Sequence, residues 1–427
     1  MRQAVVIVHG IGEQRPMSTL RAFVKAVIPE PAVEGRARYH NKPDRLSETF
    51  ELRRLQGLSS RRAPTTDYYE FYWAYHSEGT RFAHILTWLH TLLLRTPGQV
   101  PERLLPTWLL AWCLIATAAI LWLANPSAEM SIPSIPGIPE RWTLPLATLL
   151  LIPLSQYLAL HYIGDAARYL DPAPGNIALR QKIRADGVQL LRKLHAEGKY
   201  NRIVLVGHSL GSVIAYDILR QYWVDVHQQH RSPATLRQPE LKACEQLGKA
   251  LGAEPSAADL TAYRKAQREL WKEQRGLGNP WLVTDLVTLG SPLAHARLLL
   301  AKGENDLRER MKEMELPTCP PQLDNNTHHY DLKYAVQGSP RSIHVLTHSA
   351  LFACTRWTNI YFPGDLVGGP MAPVFGAGIE DVRVEGGGLV GRLPLSHTRY
   401  WHKENGDGPA ERALMAALDL QSRDWLV

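Results

Sequence analysis

The chain has 427 residues, 45% hydrophobic and 21% charged, which is enough for one large α/β unit with insertions or for two domains and excludes a disordered chain. Its formal net charge is +7, but Lys and Arg are spread through helical stretches that also carry Glu and Asp, so no basic stripe points to nucleic acid. An excess of this kind suits attraction to anionic lipid at a cytoplasmic membrane face.

Met1-Arg2-Gln3 runs directly into an apolar strand, Ala4–Val8, so no signal peptide is expected. The strand ends in His9-Gly10-Ile11-Gly12, and helical spacing follows over 20–27. Further strands are read at Asp67–Ala74, at Arg202–Val206, at Leu282–Leu289 closing on Gly290-Ser291-Pro292, and at Trp357–Phe362. A helix is read near the end, over Pro409–Leu420. Short apolar runs alternating with helices predict an α/β fold, a mostly parallel sheet with helices on both faces. Cys113, Cys244, Cys319 and Cys354 are scattered and form no Cys-x-x-Cys pair, which argues against a zinc site and for reduced thiols.

Three segments interrupt this alternation. Leu105–Ala124 and Trp142–Leu160 carry no charge, and each has the length that spans a bilayer core, about 20 residues. Trp108, Trp112, Trp122 and Trp142 lie at or near their ends, where interfacial tryptophans sit. The expectation is an inserted apolar, transmembrane helical hairpin. A pair of buried core helices is the alternative, because Pro145 and Pro153 interrupt the second span. Arg81, Arg95 and Arg103 precede the hairpin, Arg168, Arg180, Lys182 and Arg184 follow it, and its loop offers only Arg141 beside Glu140. That bias keeps both flanks, and the rest of the chain, on the cytoplasmic side of an inner membrane. The stretch 82–94 reads equally as an interfacial helix or a core-facing one. The other segments, about 228–280 and 296–355, read as helical insertions over the strand ends, where lids and pockets lie. The organisation expected is core at 1–80, hairpin at 81–165, and core again at 166–427.

Gly207-His208-Ser209-Leu210-Gly211 follows the third strand and leads into helical spacing from Ser212 to Leu219. Strand, sharp Gly-x-Ser-x-Gly turn and helix are the context of a nucleophile elbow, which marks Ser209 as a nucleophile. A serine needs a base, and the base needs an orienting acid. Asp365 stands just past the fifth strand in a glycine-rich loop, with Asp381 in reserve. His397 lies near the C-terminus, with His402 as competitor; His344 and His348 precede the acid and fall in the wrong order. Two backbone N–H groups are expected to hold an oxyanion, those of Leu210 and of Ile11, with Gly12 in reserve. His9 reads as a side chain that shapes the loop.

The Val-His-Gly-Ile-Gly and Gly-His-Ser-Leu-Gly motifs, the aspartate after a late strand and the C-terminal histidine together resemble the α/β-hydrolase superfamily. The two glycine motifs look like those of bacterial serine esterases and lipases. The resemblance covers about 1–75, 176–225, 281–295 and 356–427. It implies an α/β-hydrolase fold, a Ser209–Asp365–His397 triad, Ile11 and Leu210 as oxyanion donors, and no cofactor or metal. The expected activity is cleavage of carboxylic esters, with acyl lipids as substrate and the membrane as partner. An acyltransferase or thioesterase with the same nucleophile is one alternative, and a membrane scaffold on a hydrolase fold is another. Oligomeric state and acyl-chain preference have no sequence signal.

Overall fold

A computed structural model describes residues 2–11, 15–28, 37–46, 51–57, 64–77, 94–106, a few positions from 108 to 116, 164–171, 173–230, 237–336, 339–385, 394–401, 408–422 and 424–425. The strands are β1 (Arg2–Val8), β2 (Tyr39–Pro43), β3 (Arg53–Gly57), β4 (Thr65–Phe71), β5 (Arg202–His208), β6 (Val283–Leu289), β7 (His329–Val336), β8 (Ser339–Leu346), β9 (Arg356–Tyr361) and β10 (Glu380–Arg383). Among the described residues, eight form one sheet in the order β10-β9-β6-β5-β1-β4-β3-β2. Every pair from β10 to β4 is parallel; β3 and β2 add an antiparallel edge.

The strand sequences explain the layers. Along β1, Ala4, Val6 and Val8 face one side, with Ile203, Leu205 and Leu286 of the neighbouring strands. Val5 and Ile7 face the other, with Val204, Val206, Val287 and Leu289. A strand buried on both faces needs apolar side chains at every position, which is why these runs read as continuous and not alternating. The first face is covered by α2 (Pro174–Ala196) and α3 (Leu210–Val226), the second by α1 (Ser18–Val27) and, near the C-terminus, by the helix Pro409–Leu418. Each Val, Leu or Ile buried this way stabilises the fold by roughly 1.5–3 kcal/mol. The covered parallel sheet is therefore a large source of stability.

Five strands were legible in the sequence; β2, β3 and β10 were not. Tyr39–Pro43 is a polar edge strand and Glu380–Arg383 a four-residue strand at the other edge; Arg53–Gly57, paired between β2 and β4, buries Leu55, Gln56 and Gly57 but has Leu55 as its one large apolar side chain. Edge strands bury little, so their sequences carry little apolar pattern. The segment 228–280 holds two helices, Pro239–Ala250 and Ala257–Gly276, as expected. The segment 296–355 does not follow the helical reading throughout. After Ala296–Leu299 and Glu304–Lys312 it forms an antiparallel hairpin of β7 and β8. Ile343 and Val345 are buried while Ser342 is exposed, a period of two that no helix satisfies. The hairpin predicted at 105–160 and the stretch 82–93 lie almost wholly outside the described residues. Among the described residues, no helix is long and apolar enough to cross a membrane.

The chain runs from β1 out to β4 on one side and returns to β5 on the other. In open parallel sheets a crevice forms beyond the strand C-termini where the winding direction switches. Here that point lies between β1 and β5, at His9-Gly10 and Ser209.

Candidate active site

Ser209 joins β5 to α3 with φ 52° and ψ −131°, a conformation that costs a non-glycine residue of order 1–3 kcal/mol. The two flanking glycines make the turn feasible. A Cβ on Gly207 would stand 2.5 Å from Ser212 Cα, and one on Gly211 2.3 Å from the Val8 carbonyl oxygen. The turn is therefore pressed between its own helix and the end of β1, and only glycine fits at either position. Gly10 serves the approach from the other side, since a Cβ there would lie 3.0 Å from Ser209 Cβ. The Ser212 hydroxyl donates to the Ser209 carbonyl at 2.6 Å and reaches the Ser291 hydroxyl at 2.7 Å, which ties the turn to the loop after β6.

The structure brings Ser209, His397 and Asp365 together. His397 Nε2 lies 2.9 Å from Ser209 Oγ, and His397 Nδ1 lies 2.9 Å and 3.1 Å from the two Asp365 oxygens. A carboxylate accepts only, so Nδ1 carries the proton and Nε2 is left free to accept from the serine hydroxyl. Asp365 is fully buried. Its carboxylate also accepts from the Val367 N–H and the Tyr400 hydroxyl, each at 2.8 Å. Burial alone would raise this carboxyl; the bond from His397, its charge, the Gly368 N–H and the Tyr400 O–H override burial and hold it at about 2. Asp365 thus stays ionised while it orients the ring.

Gly290 and Gly368 make room for this pair. A Cβ on Gly290, which has φ 55°, would stand 2.7 Å from Asp365 Oδ2 and 3.0 Å from His397 Nδ1. The sequence marked Gly290 only as the end of a strand. Tyr400 gave no signal at all, because it lies 35 residues from the acid it serves. His208, the second residue of the elbow, likewise carries no sequence signal for its role. Its ring stacks on His397 with centroids 5.0 Å apart, and its Nε2–H donates to the His397 carbonyl at 3.0 Å. Burial, reinforced by the neighbouring imidazole, lowers His208 to about 3, so it stays a neutral support.

The remaining expectations separate cleanly. Leu210 is the first residue of α3, where backbone N–H groups have no partner within the helix. Ile11 is half-buried in the loop that Gly10 brings against Ser209, and Gly12 lies outside the described residues. His9 is fully buried; its Nδ1–H donates to Gly10 O at 2.8 Å, and its Nε2 accepts from Trp73 N–H at 3.2 Å. It stacks on the Trp73 indole at 5.0 Å, and burial brings it down to about 4 against the pull of the Gly10 carbonyl. Asp381 accepts from Asn359 at 2.7 Å and from the Met371 and Ala372 N–H groups, so it braces a loop. His344 pairs with Asp331 on the β7–β8 hairpin at 2.6 Å, and His402 lies outside the described residues.

Three of the four cysteines are sealed from solvent, and Cys113 is exposed on the segment 108–116. Cys244, Cys319 and Cys354 are buried free thiols, and burial raises all three, Cys319 to about 12. Among the described residues, no cluster of His, Cys, Asp or Glu could hold a metal ion. No protein-family model, curated protein or solved structure matches the chain.

Proposed function

We propose that the chain is a serine hydrolase of the α/β-hydrolase type that cleaves carboxylic esters through an acyl-enzyme. The observation that carries the reading is the continuous relay from Ser209 Oγ through His397 to buried Asp365, with the serine held at φ 52°. Ser209 attacks the ester carbonyl carbon as its proton passes to His397 Nε2. Asp365 keeps its charge and stabilises the imidazolium. The Leu210 and Ile11 N–H groups receive the tetrahedral oxyanion. The proton then moves from His397 to the leaving alcohol, and water, deprotonated by the same ring, releases the acid.

Acyl lipids are the proposed substrate class and a membrane the proposed setting. Both rest on the uncharged stretches at 105–124 and 142–160. Alkaline carbonate washing is the check on the setting: retention in the membrane pellet supports it, and release of the intact chain removes it.

The activity is tested with short p-nitrophenyl esters and a fluorophosphonate probe. Wild type is expected to turn over the ester and take the label. Ser209→Ala is expected to do neither, with a loss of ~10⁴–10⁶-fold in kcat. Folded wild-type protein that neither hydrolyses ester nor binds the probe would falsify the reading. Products formed with competing alcohols or thioesters separate a hydrolase from an acyltransferase or thioesterase.

A further inference from the structure

We infer that Arg103 is a positioning residue for the acid of this site. The inference rests on the hydrolase reading for its kinetic consequence and on geometry alone for the contact. Asp365 sits in the loop from Phe362 to Met371, between β9 and the short helix Ala372–Phe375. Within that loop the Asp365 N–H reaches back to Phe362 O at 3.2 Å, a long bond. Several of its carbonyls are instead held from elsewhere. Arg103 Nη2 donates to Pro363 O at 2.6 Å and to Asp365 O at 3.3 Å, and Nη1 donates to Gly368 O at 2.9 Å. His295 Nε2–H donates to Leu366 O at 3.0 Å.

One planar guanidinium therefore joins both ends of the turn that presents the carboxylate. Its fork geometry matters, because a point charge cannot bridge carbonyls that lie apart. The loop is shaped to receive it: a Cβ on Gly369 would stand 2.6 Å from Arg103 Nη1, and the guanidinium carbon lies 5.8 Å over the Tyr361 ring. Among the described residues, Arg103 has no carboxylate within ion-pair distance, so its partners are these neutral carbonyls. Arg103 is itself anchored. Val100 O accepts from Arg297 at 3.1 Å, Arg95 donates to Ala301 O at 3.3 Å, and Gln99 donates to Lys302 O at 3.3 Å. Arg103 touches neither Ser209 nor His397; it acts through Asp365.

The test compares wild type, Arg103→Ala, Arg103→Lys and Ser209→Ala. With a soluble p-nitrophenyl ester, Arg103→Ala is expected to lose roughly 10–100-fold in kcat, as a displaced catalytic group does, with KM changed less than about twofold. The acidic limb of its pH profile should shift, and Arg103→Lys should recover only part of the loss. A low-field proton NMR signal from the His397 Nδ1–H bonded to Asp365 should be present in wild type and in Ser209→Ala, and lost or displaced in Arg103→Ala. If Arg103→Ala does not fold, Arg103→Lys carries both readouts. Wild-type kcat and an unmoved low-field signal in the Arg103 variants overturn the inference and leave the hydrolase reading standing. If wild type itself shows no turnover, the hydrolase reading fails, and the low-field signal alone decides whether Arg103 holds Asp365 in place.

Discussion

Asp285 and Asp365 are both buried, both held at about 2, and placed at opposite ends of the same parallel strands. Asp285 lies near the strand N-termini. Burial raises it, and Arg356 and Arg202, each at 2.7 Å, bring it down. Asp365 lies beyond the C-termini, and its partners are an imidazole, a phenol and backbone N–H groups. Glu70, at the C-terminal end of β4, is a third case: one oxygen accepts from the Met17 N–H at 2.7 Å, the other has no partner, and burial pushes the group up to about 7. Donor supply decides the charge of a buried carboxyl, and donor type decides its use. Two arginines give a charge that never moves, because guanidinium does not titrate. An imidazole gives the same low value with a proton that can travel.

The sharpest break of this comparison is to neutralise each aspartate. Asp365→Asn should cut kcat by ~10⁴-fold through the wrong imidazole tautomer, with circular dichroism unchanged. Asp285→Asn should leave turnover per folded molecule intact. It should cost about 3–5 kcal/mol in urea unfolding, because Arg202 and Arg356 are left buried without a countercharge. The sign with pH follows: the Asp285 contribution is complete above the ordinary carboxylate range and is lost as pH falls from about 4 towards about 2. In the asparagine variant that acid-side loss should shrink.

Gly290→Ala comes next. Its Cβ would push between Asp365 and His397 at a residue with φ 55°, so kcat should fall roughly 10–100-fold and urea unfolding should show a loss of about 1 kcal/mol. At Glu70 the expected effect is on stability alone, with no change in kcat. A carboxyl raised to about 7 when folded binds a proton that the unfolded chain has released, so it weakens the fold as pH rises from about 4 to about 7. Glu70→Gln keeps an acceptor for Met17 and removes that slope. It should match wild type at pH ~5 and exceed it by on the order of 2 kcal/mol at pH ~8 in thermal melts.

What the sequence disclosed follows the same division. Ser209, Asp365 and His397 were readable because local signals mark them: a glycine turn after an apolar strand, a glycine loop after another, and chain order. The central strands were readable because burial on both faces demands unbroken apolar runs. Tyr400, Gly290, His208 and Arg103 were not. Each acts on a residue brought near only by folding, and Arg103 lies 260 positions from the carbonyl it holds most closely. The polar edge β2 leaves no pattern because it buries too little, and β3 leaves none because Leu55 is its one large apolar side chain.

The pairing of β1 with β5 sets Gln3 beside Arg202. Ribosomes add roughly 5–20 residues per second, so the first of these strands leaves the ribosome on the order of 10–40 s before the second. Through that interval β1 has one flank without its partner, and the uncharged stretches at 105–124 and 142–160 are made inside it. Those stretches are therefore made before Ser209 joins the chain, and the site can assemble only after their synthesis.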